Sequence, residues 1–489
     1  MVYSCITKRA IALPPTDRLY PYQERAIRLL LDPLGPKTVA YRYGSGKAWV
    51  ALEAGVLKHR PWHMIVVCKP RNFITWEREA EKRLCGDDGP PACFTLYRCE
   101  GTKKQRQRVR DMLTIKPQQA NWLVMVSHTS LANDIHEWCM FAKHATPNVV
   151  IYDESTAIKN PKAQRTKAAL KLTGVVPMAT RITLTGNPIP ENPLEIWTQL
   201  EFNYPGCNPF GRTYYQFTRE WFIAADYGLV LRHERVQEYQ DVLAHHAIWL
   251  TADETKMLRS VAGFPASRYV VEQYELNSTQ YGALQKLESE WALCNALGVE
   301  EEYNYATTIL TKAQQICSGF YYDYDKNPVF LTDPNDNPKV NLLREVTGDL
   351  MAESHKRKMI VWRAFRAEDL MIQNALAPLG CVIGPAESSI LQFMDDPNIH
   401  VIVMPLACGQ GLNELVKANA NLFFSNVFSQ ESRDQAEARI VRSGQTADIV
   451  VHIDFMSPEQ RDADVVAALQ SKTMSKNTVV EIVRRYADK

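Results

Sequence analysis

The chain has 489 residues, more than one hydrophobic core usually covers, so two or three domains are expected. Hydrophobic residues make up 46% and charged residues 23%, the balance of an ordinary globular protein, and no apolar run reaches the ~18 residues of a membrane-spanning helix. A formal net charge of +1 argues against a protein that coats nucleic acid by bulk charge and leaves room only for a local basic groove.

The opening stretch MVYSCITKRAIALPP carries neither a long apolar core nor a small-residue cleavage pattern. Eleven cysteines without a CxxC pair point to a reducing compartment, so a cytoplasmic protein is expected. Over the first 205 residues short β-rich runs alternate with amphipathic stretches, the pattern of βαβ units on a parallel sheet. Strands are predicted at Thr38–Tyr43, Met64–Cys68, Phe94–Tyr97, Leu123–Ser127, Val149–Tyr152 and Ile182–Thr185, with helices that include Asn72–Arg83 and Ala163–Leu172. Within this stretch Cys85, Cys93 and Cys99 lie too far apart for a structural zinc site. Trp76 and Trp197 fall at helical spacing among apolar residues and read as packing.

From about Pro205 to Lys339 the pattern shifts to longer helical stretches, such as Gln280–Leu297 and Tyr305–Ser318. His245-His246 begins a predicted strand, HHAIWL, and the turn-rich Asp323–Lys339 reads as a connector. Strands resume near Met359–Trp362, Val401–Met404, Leu422–Ser425 and Ile449–Ile453. The fold class expected is α/β, in two lobes built on parallel sheets with helical insertions between them. The first lobe is placed at residues 1–262, with a helical protrusion after about 205. The second is placed at 263–489, with a helical insertion over about 275–335.

Chemistry is concentrated in three places. The strand run VAYRY leads into Gly44-Ser45-Gly46-Lys47 and then the helical run AWVALEAGVL. A glycine turn between strand and helix aims backbone N–H groups and the helix dipole at an anion, and Lys47 supplies charge for β/γ-phosphates. The full GxxxxGK[ST] pattern is not met, because Ala48 stands where Ser or Thr would ligate Mg²⁺. Taken alone, the loop reads equally well as a tight turn with a surface lysine. NVVIYDES then places Asp153 and Glu154 at the C-terminal end of an apolar strand, where open α/β sheets put their chemistry. The pair suits a Mg²⁺ ligand acting through water (Asp153) and a group that orients the attacking water (Glu154). In QAEARIVRSGQT, Arg439 and Arg442 are spaced to share one face of a helix and to address a single anion.

These residues, in this order, resemble the Swi/Snf-like branch of superfamily 2 ATPases, in its compact stand-alone form found in bacteria or their phages. LYPYQERA resembles the branch's adenine-reading motif, with Gln23 as the base contact and Tyr20 or Tyr22 nearby. HMIVVCKPRNFITWEREAEK, IYDESTAIKNPKAQRTKA, LTGNPIPENPLEIWTQLEF, NSTQYGAL, QICSGF, ACGQGLNE and QAEARIVRSGQT are similar to its later motifs. The chain departs from the branch at Ala48, at Asn187 where threonine is usual, and at Glu414 after Asn413.

The resemblance implies two RecA-like lobes that use ATP and Mg²⁺. Lys47, Asp153, Glu154, Arg439 and Arg442 would be catalytic, and Gln23, Gly44, Ser45, Gly46, Lys47, Gly411 and Gln435 would hold nucleotide. It also implies DNA as partner, duplex favoured, gripped mainly through phosphates. Lys69, Arg71, Ser127, His128 and Thr129 at strand ends are candidates for that grip, as are Gly409, Gly411 and Asn413. The expected function is an ATP-dependent double-stranded DNA translocase in which hydrolysis is coupled to lobe closure. The alternatives are a nucleotide-gated DNA clamp with weak turnover and a strand-separating helicase, the latter disfavoured by the branch.

Overall fold

The structure, a computed structural model, describes residues 19–42, 44–84, 94–115, 120–189, 192–225, 228–260, 263–296, 302–323, 325–408, 414–427, 429–442 and 444–457. The chain divides into two compact units, Met1–Met257 and Leu258–Lys489.

The first unit is built on a seven-stranded sheet. Its strands are β1 (Thr38–Ala40), β2 (His63–Cys68), β3 (Phe94–Cys99), β4 (Asn121–Ser127), β5 (Val149–Asp153), β6 (Thr180–Thr185) and, beyond a separate antiparallel hairpin of β7 (Phe222–Ala225) and β8 (Gly228–Leu231), β9 (Ala247–Trp249). The order is β3-β4-β2-β5-β6-β1-β9, and every pairing is parallel. All six residues of β2 are buried, as expected of a strand covered by helices on both faces. Ile65, Val67, Val124, Val126 and Val150 pack with Trp122, Trp138 and Phe141 in the core on one face. An aromatic cluster of Trp197, Phe210, Phe217, Trp221, Phe222 and Tyr239 holds the protrusion between β6 and β9.

The second unit carries a six-stranded parallel sheet. Its chain order is β10 (Ala266–Gln273), a small antiparallel pair β11 (Phe320–Tyr322) and β12 (Pro328–Phe330), then β13 (Met359–Arg363), β14 (Cys381–Ile383), β15 (Val401–Pro405), β16 (Ala420–Phe423) and β17 (Ile449–Met456). The sheet order is β10-β17-β16-β13-β15-β14. One face of it packs around Leu343, Val361, Met371 and Leu422, the other around Trp362, Phe393, Ile402 and Phe423. Both units are RecA-like α/β lobes.

Several elements differ from expectation. The first strand stops at Ala40, because the carbonyls of Tyr41 and Arg42 turn to accept hydrogen bonds from Lys47. The turn-rich stretch around Asp323–Lys339 is not only a connector. Its Pro328–Phe330 pairs with Phe320–Tyr322, and Asn337 starts the helix Pro338–Glu353 by accepting from the Lys339 and Val340 amides. His245 and His246 finish the helix Val236–His246 and do not open a strand, which begins only at Ala247. Among the described residues no helix is long and apolar enough to cross a membrane.

Candidate nucleotide site

The helix Lys47–Lys58 begins directly after the glycine turn, and Gly44 and Gly46 both take left-handed backbone angles, φ 78° and 79°. Its left-handed conformation favours glycine at Gly46, and a Cβ there would lie 2.4 Å from the Gln23 amide nitrogen and would displace it. The amides of a helix's first turn have no intrahelical acceptors, which makes this end of the helix a cradle for phosphate. Lys47 Nζ donates to Tyr41 O at 2.9 Å and Arg42 O at 3.2 Å, so its ammonium lies against its own loop.

Gln23 has a role that the sequence did not indicate. It is buried, its Nε2 donates to Ser45 O at 3.2 Å, and its Oε1 accepts from the Tyr20 amide. Tyr22 adds a hydroxyl donor to the same Ser45 carbonyl at 3.1 Å. The helix Pro21–Leu31 is therefore latched to the glycine loop. The Ser45 hydroxyl is buried and donates to Arg42 O at 2.6 Å, which turns it into the loop.

Because the sheet is parallel, the loop after β1 and the carboxylates after β5 emerge at the same edge. Ala40 is level with Thr185 of β6, and Asp153 is level with Leu184. One strand separates β1 from β5, so their ends stand about 10 Å apart. That span and the glycine cradle fit a nucleotide's phosphates. Asp153 supplies a carboxylate of the kind Mg²⁺ takes alongside phosphate oxygens and water.

Asp153 Oδ2 accepts from Asn72 Nδ2 at 3.1 Å and from Trp76 Nε1 at 3.0 Å. Trp76 is thus more than packing, and Trp197 likewise donates its indole N–H to Gly211 O at 3.1 Å. Glu154 is buried and has φ 54°, ψ 64°, a left-handed conformation that costs a non-glycine residue roughly 1 kcal/mol or more. The next residues are fixed from below: Ser155 Oγ donates to Gln199 Oε1 at 2.6 Å, and Lys159 pairs with Glu195 at 2.9 Å. The strings DESTAIKN and LEIWTQLEF are therefore structural partners. Asn187 holds the turn after β6, its side chain accepting from the Ile189 amide.

Of the candidates for gripping a nucleic acid, the structure corrects two. Ser127 is buried and caps the helix His128–Asn133 through the Ser130 amide. His128 is buried, stacked 4.9 Å from Tyr152 and hydrogen-bonded to Asp153 O at 3.0 Å. Burial pushes its imidazole down to about 4. Thr129 and Arg71 are exposed and Lys69 is half-buried. Gly409, Gly411 and Asn413 lie outside the described residues, as do Cys85 and Cys93, whereas Cys99 is a buried core residue.

In the second unit the helix Gln430–Glu437 ends before either candidate arginine. Arg439 and Arg442 therefore lie in the turn that follows, and helical spacing does not align them. Gln445 fixes this turn, its Nε2 lying 3.0, 2.7 and 3.2 Å from the carbonyls of Val416, Ala418 and Ile440. Arg439 is buried with Nε donating to Gln435 O at 3.1 Å, while Arg442 is half-buried. Gln435 is buried and donates to Glu431 at 2.9 Å.

The residue that anchors this helix, Arg433, carries no motif signal in the sequence. It is buried, makes a two-pronged pair with the fully buried Asp454 of β17 at 2.5 and 2.8 Å, bonds Glu437 at 2.7 Å, and lies 3.4 Å from the centre of the Phe423 ring. The NSTQYGAL and QICSGF strings also meet. Gln280 Nε2 reaches the carbonyls of Ile316 and Cys317, and Ser318 donates to the buried Glu368 at 2.8 Å.

A glycine loop and an acidic pair on one edge of a parallel sheet define a RecA-like ATPase unit. A family model described as the SNF2-related domain matches residues 25–315, more than half of the chain. The chain belongs to this family and carries a helicase-like ATPase domain of the SNF2 type. It is 24% identical over 346 residues to the Zorya protein ZorD of Escherichia coli O139:H28, covering 65% of this chain and 29% of that protein. It is 24% identical over 349 residues to putative protein p41 of Acyrthosiphon pisum secondary endosymbiont phage 1, covering 69% of this chain and 72% of that protein. The chain thus spans less than a third of the first relative and nearly three quarters of the second. The crystal structure of the Pyrococcus furiosus Hef helicase domain is alike in fold, with a TM-score of 0.55 and 13% identity over 94% of this chain and 99% of that one.

Proposed function

We propose that the chain is an ATP-driven motor on double-stranded DNA, in which hydrolysis is coupled to closure of the two lobes. The observation that carries this reading is the placing of the Lys47 loop and the Asp153–Glu154 pair at one sheet edge, in a chain of the SNF2-related family. On this reading Lys47 leaves the Tyr41 and Arg42 carbonyls and turns its ammonium to the β/γ-phosphates. Glu154 orients the attacking water and takes its proton, and Asp153 would hold the metal through water. The chemistry supplied by a bound Mg²⁺ is neutralisation of charge on the β- and γ-oxygens. The turn carrying Arg439 and Arg442 brings a guanidinium to the transition state from the second lobe. Of the two, Arg442 is the more exposed.

The test is ATPase activity with duplex DNA, single-stranded DNA and RNA, using Lys47→Ala as the blank. Duplex DNA should stimulate most, and ATP should drive displacement of a triplex-forming strand while a forked duplex is not efficiently unwound. Unwinding without triplex displacement would make the protein a helicase in the strict sense. Lys47→Ala should weaken ATP binding, whereas Glu154→Gln should keep binding and trap the ATP-bound state. Normal turnover in Glu154→Gln would remove Glu154 from the mechanism.

A second reading, a nucleotide-gated DNA clamp, is favoured by one observation. Ala48 supplies no hydroxyl to a metal, and the nearby Ser45 hydroxyl is turned to Arg42 O. Nucleotide binding with no turnover on any nucleic acid would select the clamp.

A further inference from the structure

We infer that Asn72 and Trp76 are positioning residues for the Asp153 carboxylate, fixing which of its oxygens faces the metal. This rests on the reading of Asp153 as the ligand that holds Mg²⁺ through water. Both N–H donors converge on one oxygen, Oδ2, at 3.1 and 3.0 Å. Oδ1 accepts no hydrogen bond from the described residues.

An aspartate's terminal torsion is soft, so an unheld carboxylate would swing and present either oxygen. Two donors on a single oxygen remove that freedom and leave Oδ1 as the presented atom. Donors to a charged acceptor are the stronger class of hydrogen bond, which suits them to this task. The main chain is held as well, because His128 bonds Asp153 O at 3.0 Å.

The two donors come from a rigid source. Trp76 is 2% exposed on the helix Phe73–Leu84, and Asn72 ends the 3-10 turn Pro70–Asn72 immediately before it. Both elements follow β2, the strand paired with β5, so their reach to Asp153 is set by sheet register and not by a mobile loop. Groups that orient a ligand in this way typically change metal affinity ten- to a hundredfold when removed.

The experiment is titration calorimetry of the full chain with ADP, in MgCl2 and in EDTA, which reads the metal's contribution to binding without turnover. Trp76→Phe removes the indole N–H and keeps an aromatic ring in the core. Asn72→Ala removes the other donor at a half-buried site and tests the same idea if the tryptophan variant does not fold. Each should lower the Mg²⁺-dependent gain in ADP affinity tenfold or more, with affinity in EDTA unchanged. Asp153→Asn is the reference and should abolish the gain. If Asp153→Asn abolishes it while Trp76→Phe and Asn72→Ala keep it, the positioning role is overturned and the metal role of Asp153 stands. If Asp153→Asn keeps it as well, the metal role itself is overturned, and the positioning role with it. Equal losses in MgCl2 and in EDTA would mark both residues as merely structural and overturn the inference.

Discussion

Single residues in the first lobe combine strain, burial and missing groups in ways that can be measured one at a time. Ala48 lies at the start of the helix Lys47–Lys58, and the Ser45 hydroxyl is engaged with Arg42 O. Ala48→Thr is therefore expected to lower the Mg²⁺ concentration needed for half-maximal turnover and to raise the rate. An unchanged rate at limiting Mg²⁺ would show that water already fills the position. His128 offers a pH test with a definite sign. Its imidazole is pushed by burial from the ordinary 6.5 to about 4, so it stays neutral in the fold while the unfolded chain takes up a proton below 6.5. Stability from this group is full above pH 6.5 and is lost as pH falls from 6.5 towards 4, by about 3 kcal/mol in all. His128→Phe keeps a ring against Tyr152 and removes the titration. Its urea midpoint should fall less steeply over that range than the wild-type midpoint does. The buried His452, also pushed down to about 4, contributes to the slope that remains, as do His59 and His246, which burial lowers as well.

At the scale of elements, the helix Gln430–Glu437 shows how the arginine-bearing turn is secured. Arg433 joins this helix to β17 through Asp454, with Asn426 donating to the same carboxylate at 3.1 Å. Arg433→Met would take the two-pronged guanidinium from the buried Asp454 carboxylate, a change that typically costs about 3–5 kcal/mol. Adding Asp454→Leu should recover most of that loss, because the uncompensated charge is removed. A urea denaturation cycle over the wild type, both single variants and the double variant measures the coupling.

The same region shows where sequence is readable. The run NVVIYDES announces both strand and chemistry, since a parallel strand buried on two faces is apolar throughout and its polar pair can sit only at its end. Helical period puts the two arginines on one face, but the helix stops at Glu437 and the turn is set by Gln445, whose Val416 and Ala418 carbonyl partners lie far back in the chain. Strands β10 and β14 escaped for a related reason. The first is an edge strand mostly open to solvent and the second has three residues, so neither leaves an apolar run. Asn72 and Trp76 look like the start and the packed face of one helix until the sheet places β2 beside β5.

At the scale of the whole molecule, each lobe has its own sheet and its own apolar cores, and the net charge is near neutral. Binding to duplex DNA through a local groove is then expected to be modest and strongly salt-dependent. Each neutralised phosphate contributes about 0.9 to the slope of log affinity against log salt, so on the proposed reading a slope of roughly four to seven is expected. Fluorescence anisotropy of a labelled duplex over a salt series measures it. A slope near one or two would confine DNA contact to a single small patch.

The N-terminal helix of the first lobe also closes that lobe upon itself. Arg25 holds both oxygens of Glu254 at 2.7 Å and donates to Trp249 O at 2.6 Å. Glu254 lies on the helix Ala252–Ser260, which runs through the boundary at Met257, and Trp249 ends β9, which is paired to the sheet by three residues. A pull on the chain at that boundary would meet the guanidinium before it could peel β9 from β1. The tension would pass into the helix Pro21–Leu31, whose Gln23 grips the carbonyl of Ser45. The glycine loop would thus stand two hydrogen-bonded links from the segment at that boundary, and load applied there would be felt at the loop.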